Sequence, residues 1–118
     1  EEKEESQPTK ESEGDRELED EMAKLLLYLQ QGVVLGDYAE ALHIPERKLS
    51  VFINSTYGVS FKRWVNNKRV EYATEQMAKH PDYTMERIAE LSGFAHKSHF
   101  CKIFREITGG SFTEYKNR

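Results

Sequence analysis

Apolar residues recur along the chain at helical intervals, and a few glycines and prolines divide the pattern into segments. Leu18, Met22, Leu25, Leu26 and Leu29 fall at i, i+4, i+7, i+8 and i+11, which predicts one amphipathic helix from Asp15 to Gln31, stopped by Gly32. Leu35, Tyr38, Ala39 and Leu42 then form one short apolar face, and Leu49, Phe52 and Ile53 form another. Pro45 suits the first turn of the second of these helices, where its missing donor is harmless, and Gly58 suits its end. From Phe61 to Lys79 no Gly or Pro interrupts the chain, so a helix of roughly 28 Å is expected there. "HPDY" breaks it, and Thr84 is a good N-cap for "MERIAELSGF". Phe100, Ile103, Phe104 and Ile107 make the inner face of a further helix that stops at Gly109, and "SFTEYKNR" closes the chain with a last turn or two.

The pattern repeats. Shifted by fifty positions, Leu35, Tyr38, Ala39, Glu40 and Ile44 meet Met85, Ile88, Ala89, Glu90 and Phe94. Shifted by fifty-one, Leu49, Phe52, Ile53, Gly58, Ser60, Phe61 and Trp64 meet Phe100, Ile103, Phe104, Gly109, Ser111, Phe112 and Tyr115. The one-residue gain falls in the second turn. One helix-turn-helix unit therefore occurs twice, with a long helix between the copies. The expected fold is all-α and homeodomain-like: about seven helices, the first unit at about 34–57, the connecting helix at about 61–79 and the second unit at about 84–108.

Charge changes this picture in one respect. The 118 residues carry a formal net charge of −4, but residues 1–21 hold eleven acidic against three basic residues and the rest hold ten against fourteen. An acidic leader thus precedes a mildly basic globular part, which permits a polyanionic partner without requiring one. With so few apolar residues, 1–14 is expected to be a disordered linker and 15–118 the folded domain. Cys101 is the only cysteine, so neither an intrachain disulfide nor a thiolate cluster can form, in keeping with a reducing cytoplasm. No long apolar run or signal peptide occurs. The chain begins at Glu1 rather than Met, so a fragment or processed form is expected, with a sensor or membrane segment upstream.

Two helix-turn-helix units on one chain point to double-stranded DNA. In such a unit the second helix enters the major groove, its apolar side held by the first helix and its polar start facing base edges and phosphates. The outward positions are Glu46, Arg47, Lys48, Ser50, Val51 and Asn54 in the first unit, and His96, Lys97, Ser98, Cys101, Lys102 and Arg105 in the second. All of these except Glu46 are candidate DNA contacts, with base against phosphate contact left open. A connector of roughly 28 Å suits the spacing of about 34 Å between successive major-groove faces.

From about Leu18 to Arg118 the sequence resembles the DNA-binding domain of AraC/XylS transcription regulators. The resemblance rests on Ile88-Ala89, Gly93-Phe94, Ser98-x-Phe100, Phe104-Arg105, Gly109 and Glu114-Tyr115, and on Ser60, Phe61, Arg69 and Ala73 of the connector. It implies the carboxy-terminal output domain of a larger bacterial regulator with an N-terminal sensor part, activation through RNA polymerase, and dimerisation through that sensor part. The fragment alone is expected to be a monomer in the cytoplasm, with membrane attachment open through an upstream segment. Two departures stand out. Ser111-Phe112 replaces the family's Thr-Pro, so a serine cap is expected there, and Gly36 is expected to loosen the first unit.

Other chemistry finds less support. His96 and His99 invite a metal, but zinc wants three or more protein ligands, and His43 and His80 belong to other elements. Trp64, Tyr72 and Tyr115 are read as packing residues. Arg69 is either a polar contact between the units or a solvated charge. No phosphate loop or catalytic set is present, so neither an enzyme nor a cofactor is expected. The rival reading is a helical protein-interaction module that no longer binds DNA.

Overall fold

The computed structural model describes residues 13–117, and the expected linker over 1–14 lies outside them except for Glu13 and Gly14. The helices are α1 (Glu13–Lys24), α2 (Leu35–Leu42), α3 (Glu46–Tyr57), α4 (Phe61–Lys79), α5 (Met85–Leu91), α6 (Lys97–Thr108) and α7 (Phe112–Lys116), with a 3-10 turn at Leu27–Leu29. No strand occurs among the described residues. The all-α architecture of two helix-turn-helix units on a connecting helix is the one expected from the sequence.

α4 is the axis of the molecule, and its two ends belong to different cores. Trp64 and Val65 pack with Met22, Tyr38, Leu49 and Ile53 in the first unit. Val70, Ala73 and Met77 pack with Ile88, Phe100, Phe104 and Phe112 in the second. Trp64 is an aromatic hub, its ring 5.4 Å from Tyr38, 6.2 Å from Tyr57 and 6.4 Å from both Tyr28 and Phe61. The corresponding position of the second unit holds Tyr115, whose ring meets Phe104 edge-on at 5.5 Å. Edge-to-face pairs of this kind satisfy the ring quadrupoles as well as burying area.

The helix ends follow local chemistry. Ser60, Thr84 and Ser111 each accept a hydrogen bond from the backbone N–H three residues on, and Glu114 returns the contact to Ser111 N. The serine cap thus starts α7 without a proline. Pro45 sits one position earlier than its sequence context suggested, as the extended residue capping α3. Gly58 and Gly109 close α3 and α6 in the left-handed conformation, and His43 does the same for α2 at φ 60°.

The first helix departs from the periodicity. It ends at Lys24 instead of continuing to Gln31, and Leu26 is 53% exposed. The reason lies in where the carbonyls go. Leu25 O accepts from the Tyr38 hydroxyl at 3.4 Å, while Tyr28 O and Gln30 O accept from Arg69 Nε at 2.6 Å and Nη2 at 2.9 Å. A continuous helix would have directed these oxygens along its own axis, so the tertiary partners favour the break.

Candidate nucleic-acid interface

The two second helices, α3 and α6, each bury one face and expose the other. In α3, Leu49, Phe52 and Ile53 are buried while Arg47, Lys48, Val51 and Asn54 are exposed and Ser50 is half-buried. In α6, Phe100, Ile103 and Phe104 are buried while Lys97, Ser98, Lys102 and Arg105 are exposed, and His96 is the exposed N-cap. Cys101 is the outlier: it is half-buried, its Sγ 3.1 Å from Met85 Sδ, so it faces α5 more than solvent. Among the described residues Arg47, Lys48, Lys102 and Arg105 make no ion pair, which leaves four unneutralised cations on the outer faces of α3 and α6.

Lys97 differs. Its Nζ lies 3.0 Å from Glu86 Oε2 in the first turn of α5, and that hydrogen bond holds the Glu86 carboxyl below its ordinary range. Both side chains are more than half exposed, so the pair is screened and is available for exchange with another anion. The duplication makes the comparison direct, because Gly36 and Glu46 occupy the equivalent places in the first unit. There a methyl group on Gly36 would stand 2.9 Å from Glu46 Oε2. An acid therefore sits at the start of α3 where a base sits at the start of α6, and the two units present opposite charge at matching positions.

The units meet at Arg69. It is 8% exposed, bonded to the Tyr28 and Gln30 carbonyls, and its guanidinium lies 5.4 Å from the centre of the Phe94 ring. Burial pulls its pKa down, but an arginine remains charged. Gly93 is required beside it: φ is +92°, and a Cβ would approach Tyr28 O to 2.8 Å and Leu29 O to 2.9 Å. Of the two readings left open for Arg69, the inter-unit contact is the one observed. A second tie, from Arg63 to Glu106 at 3.6 Å, joins α4 to α6 at the surface.

His99 also lies on α6, exposed, with its ring edge-on to Phe94 at 5.6 Å. Partial burial lowers its pKa, and the charges of Lys62, Arg69, Lys102 and His96 add to the effect. Glu86, Lys62, Asn66 and His99 were not among the candidate contacts. All four become neighbours of the interface only through the tertiary fold. No group of three or more metal-ligating side chains occurs among the described residues, and no helix there is long and apolar enough to cross a membrane.

Comparison with known proteins agrees with this architecture. A family model described as a helix-turn-helix domain matches residues 38–118. The regulatory protein PocR of Salmonella typhimurium is 30% identical over 105 residues, which cover 86% of this chain and 34% of that protein. The HTH-type transcriptional regulator YijO of Escherichia coli is 30% identical over 80 residues, 68% of this chain and 28% of that protein. The chain thus spans about a third of the length of the curated relatives it matches. Among solved structures, the C-terminal domain of AraT, a response regulator from Geobacillus stearothermophilus, superposes with a TM-score of 0.76 at 25% identity, covering 92% of this chain and 88% of that one. The DNA-binding domain of the global transcriptional factor AdpA, solved in complex with a target DNA, gives 0.72 at 22% identity over 85% of this chain and 89% of that one. By sequence match, duplicated helical units and architecture together, the chain belongs to the AraC-type helix-turn-helix family of DNA-binding transcription regulators, which are not enzymes.

Proposed function

We propose that this domain binds duplex DNA as a monomer, with α3 and α6 in adjacent turns of one major groove. The observation that carries this reading is the set of cations on α3 and α6, Arg47, Lys48, Lys102 and Arg105, that make no ion pair among the described residues, each opposite the face that anchors its helix to the core. Arg47, Lys48, Ser50, Val51 and Asn54 are the contacts of the first helix; His96, Lys97, Ser98, Cys101, Lys102 and Arg105 are those of the second. Cys101 contributes least, because half of it is turned toward Met85. The AdpA complex supports the DNA partner by likeness of fold. The domain serves as the output part of a longer bacterial cytoplasmic regulator that dimerises through its sensor part and acts through RNA polymerase.

Selection of bound duplexes from a random library, followed by a salt titration on the enriched sequence, tests the reading. An asymmetric consensus and a log–log salt slope of about −0.9 for each phosphate neutralised are expected. Lys102→Ala should weaken binding with a loss of about 1–3 kcal/mol if it reads a base, and lower the slope if it holds a phosphate. No enrichment, or affinity independent of salt, would leave the protein-interaction module as the better description.

A further inference from the structure

A groove of about 480 Å³ separates the two units, within the size range of small-molecule sites. Val33, Val34 and Leu35 at the start of α2 and Phe61 and Val65 of α4 give it an apolar wall, and Ala95 and His99 close it from the second unit. Its polar groups are Lys62, Asn66, Arg69 and His99, with no carboxylate among the lining residues.

Two of these groups line the groove with side-chain polar atoms that have no protein partner among the described residues. Asn66 is 7% exposed, yet its side-chain amide has no hydrogen-bond partner among the described residues. Arg69 donates through Nε and Nη2, which leaves Nη1 without an acceptor among the described residues. Neither is sealed from water, since among the described residues only the Trp64 indole N–H is fully enclosed without a partner, so both groups stay open to an acceptor that enters the groove. Lys62 is exposed and makes no ion pair among the described residues, so the groove carries uncompensated positive charge at its rim. The lowered basicity of His99 has the same cause in part, since Lys62 and Arg69 lie close enough to disfavour its protonation.

We propose that this groove binds a small amphipathic organic anion, its apolar body against Val33, Leu35, Phe61 and Val65 and its carboxylate facing Asn66, Arg69, Lys62 and His99. Apolar enclosure supplies the free energy of association, and charge-assisted hydrogen bonds set the orientation. Because its walls come from α2 and α6, the occupant touches both units at once.

The test is an amide NMR titration of the 118-residue chain with naphthoate as the probe, against its neutral amide and against acetate and inorganic phosphate. Saturable shifts at Gly32, Gly93, Ala95 and the Asn66 side-chain amide are expected, with all three controls weaker by about tenfold or more. Lys62→Gln, a change at an exposed position, should weaken naphthoate severalfold while leaving the rest of the spectrum in place; Asn66→Leu, which removes the amide from the groove wall, should weaken it as well. Naphthamide binding as tightly as naphthoate, acetate or phosphate matching it, or shifts centred outside the groove would each overturn the proposal. So would a Lys62→Gln chain that binds the probe unchanged.

Discussion

Arg69 carries more of the architecture than its position on a mostly polar helix suggests. Its two donors satisfy carbonyls that the first helix relinquishes, and its flat face covers Phe94 of the other unit. Arg69→Met should destabilise the chain by about 2–4 kcal/mol in urea unfolding, since it orphans both acceptors and keeps the apolar stem. Arg69→Lys should recover little of this, because one ammonium cannot reproduce the fork. A loss under about 0.5 kcal/mol in Arg69→Met would mean that water serves those carbonyls as well. His99 makes a different prediction. Its pKa lies below the ordinary 6.5, mainly through desolvation, so the folded chain binds that proton less readily than the unfolded chain. Its contribution to stability is therefore full above the unfolded value of about 6.5 and is lost as the pH falls from there through the lower folded value. Phosphates near α6 reverse the bias by favouring the imidazolium. The His99 ring titration followed by NMR should move to higher pH in the presence of a selected duplex; an unchanged midpoint would place His99 away from the DNA.

At the level of elements, the duplicated pattern was readable because helical periodicity and caps are local. Ser60, Thr84 and Ser111 cap the helices that follow them, and Gly58 and Gly109 end the helices that precede them. What was hidden depends on distant partners. The break after Lys24 exists because Tyr38 and Arg69 take the carbonyls, and no window of sequence around Leu25–Leu29 contains either residue. The left-handed cap at His43 was missed because glycine is the residue expected there, as Gly93 provides in the second unit. Gly36 is also informative. It sits inside α2, where alanine would raise helix propensity by about 0.5–1 kcal/mol, and its near neighbour is the mobile end of the Glu46 side chain. Gly36→Ala should accordingly raise the unfolding midpoint, with Glu46 swinging aside. A lowered midpoint would show that the approach of Glu46 to α2 holds the two helices of that unit together.

For the molecule as a whole, two small cores share one rigid helix, and neither unit is independent of it. Trp64 and Val65 serve the first core, Val70, Ala73 and Met77 serve the second, and Arg69 lies between them. The candidate interface was legible to the extent that it follows from helix faces: the cations of α3 and α6 are outward, as their spacing required. The ion pair that occupies Lys97 and the partial burial of Cys101 were not legible, since each depends on how closely α5 packs on α6. In the proposed complex this one chain places both second helices on the same face of one duplex. Hydroxyl-radical footprinting of the domain on a selected duplex at one-to-one stoichiometry tests it most directly. Two protected stretches centred about 10–10.5 base pairs apart, shrinking to one when Lys102 and Arg105 are both changed to alanine, are the expected result. A single protected stretch in the unaltered chain, or a second stretch that appears only with a second protein molecule, would contradict it.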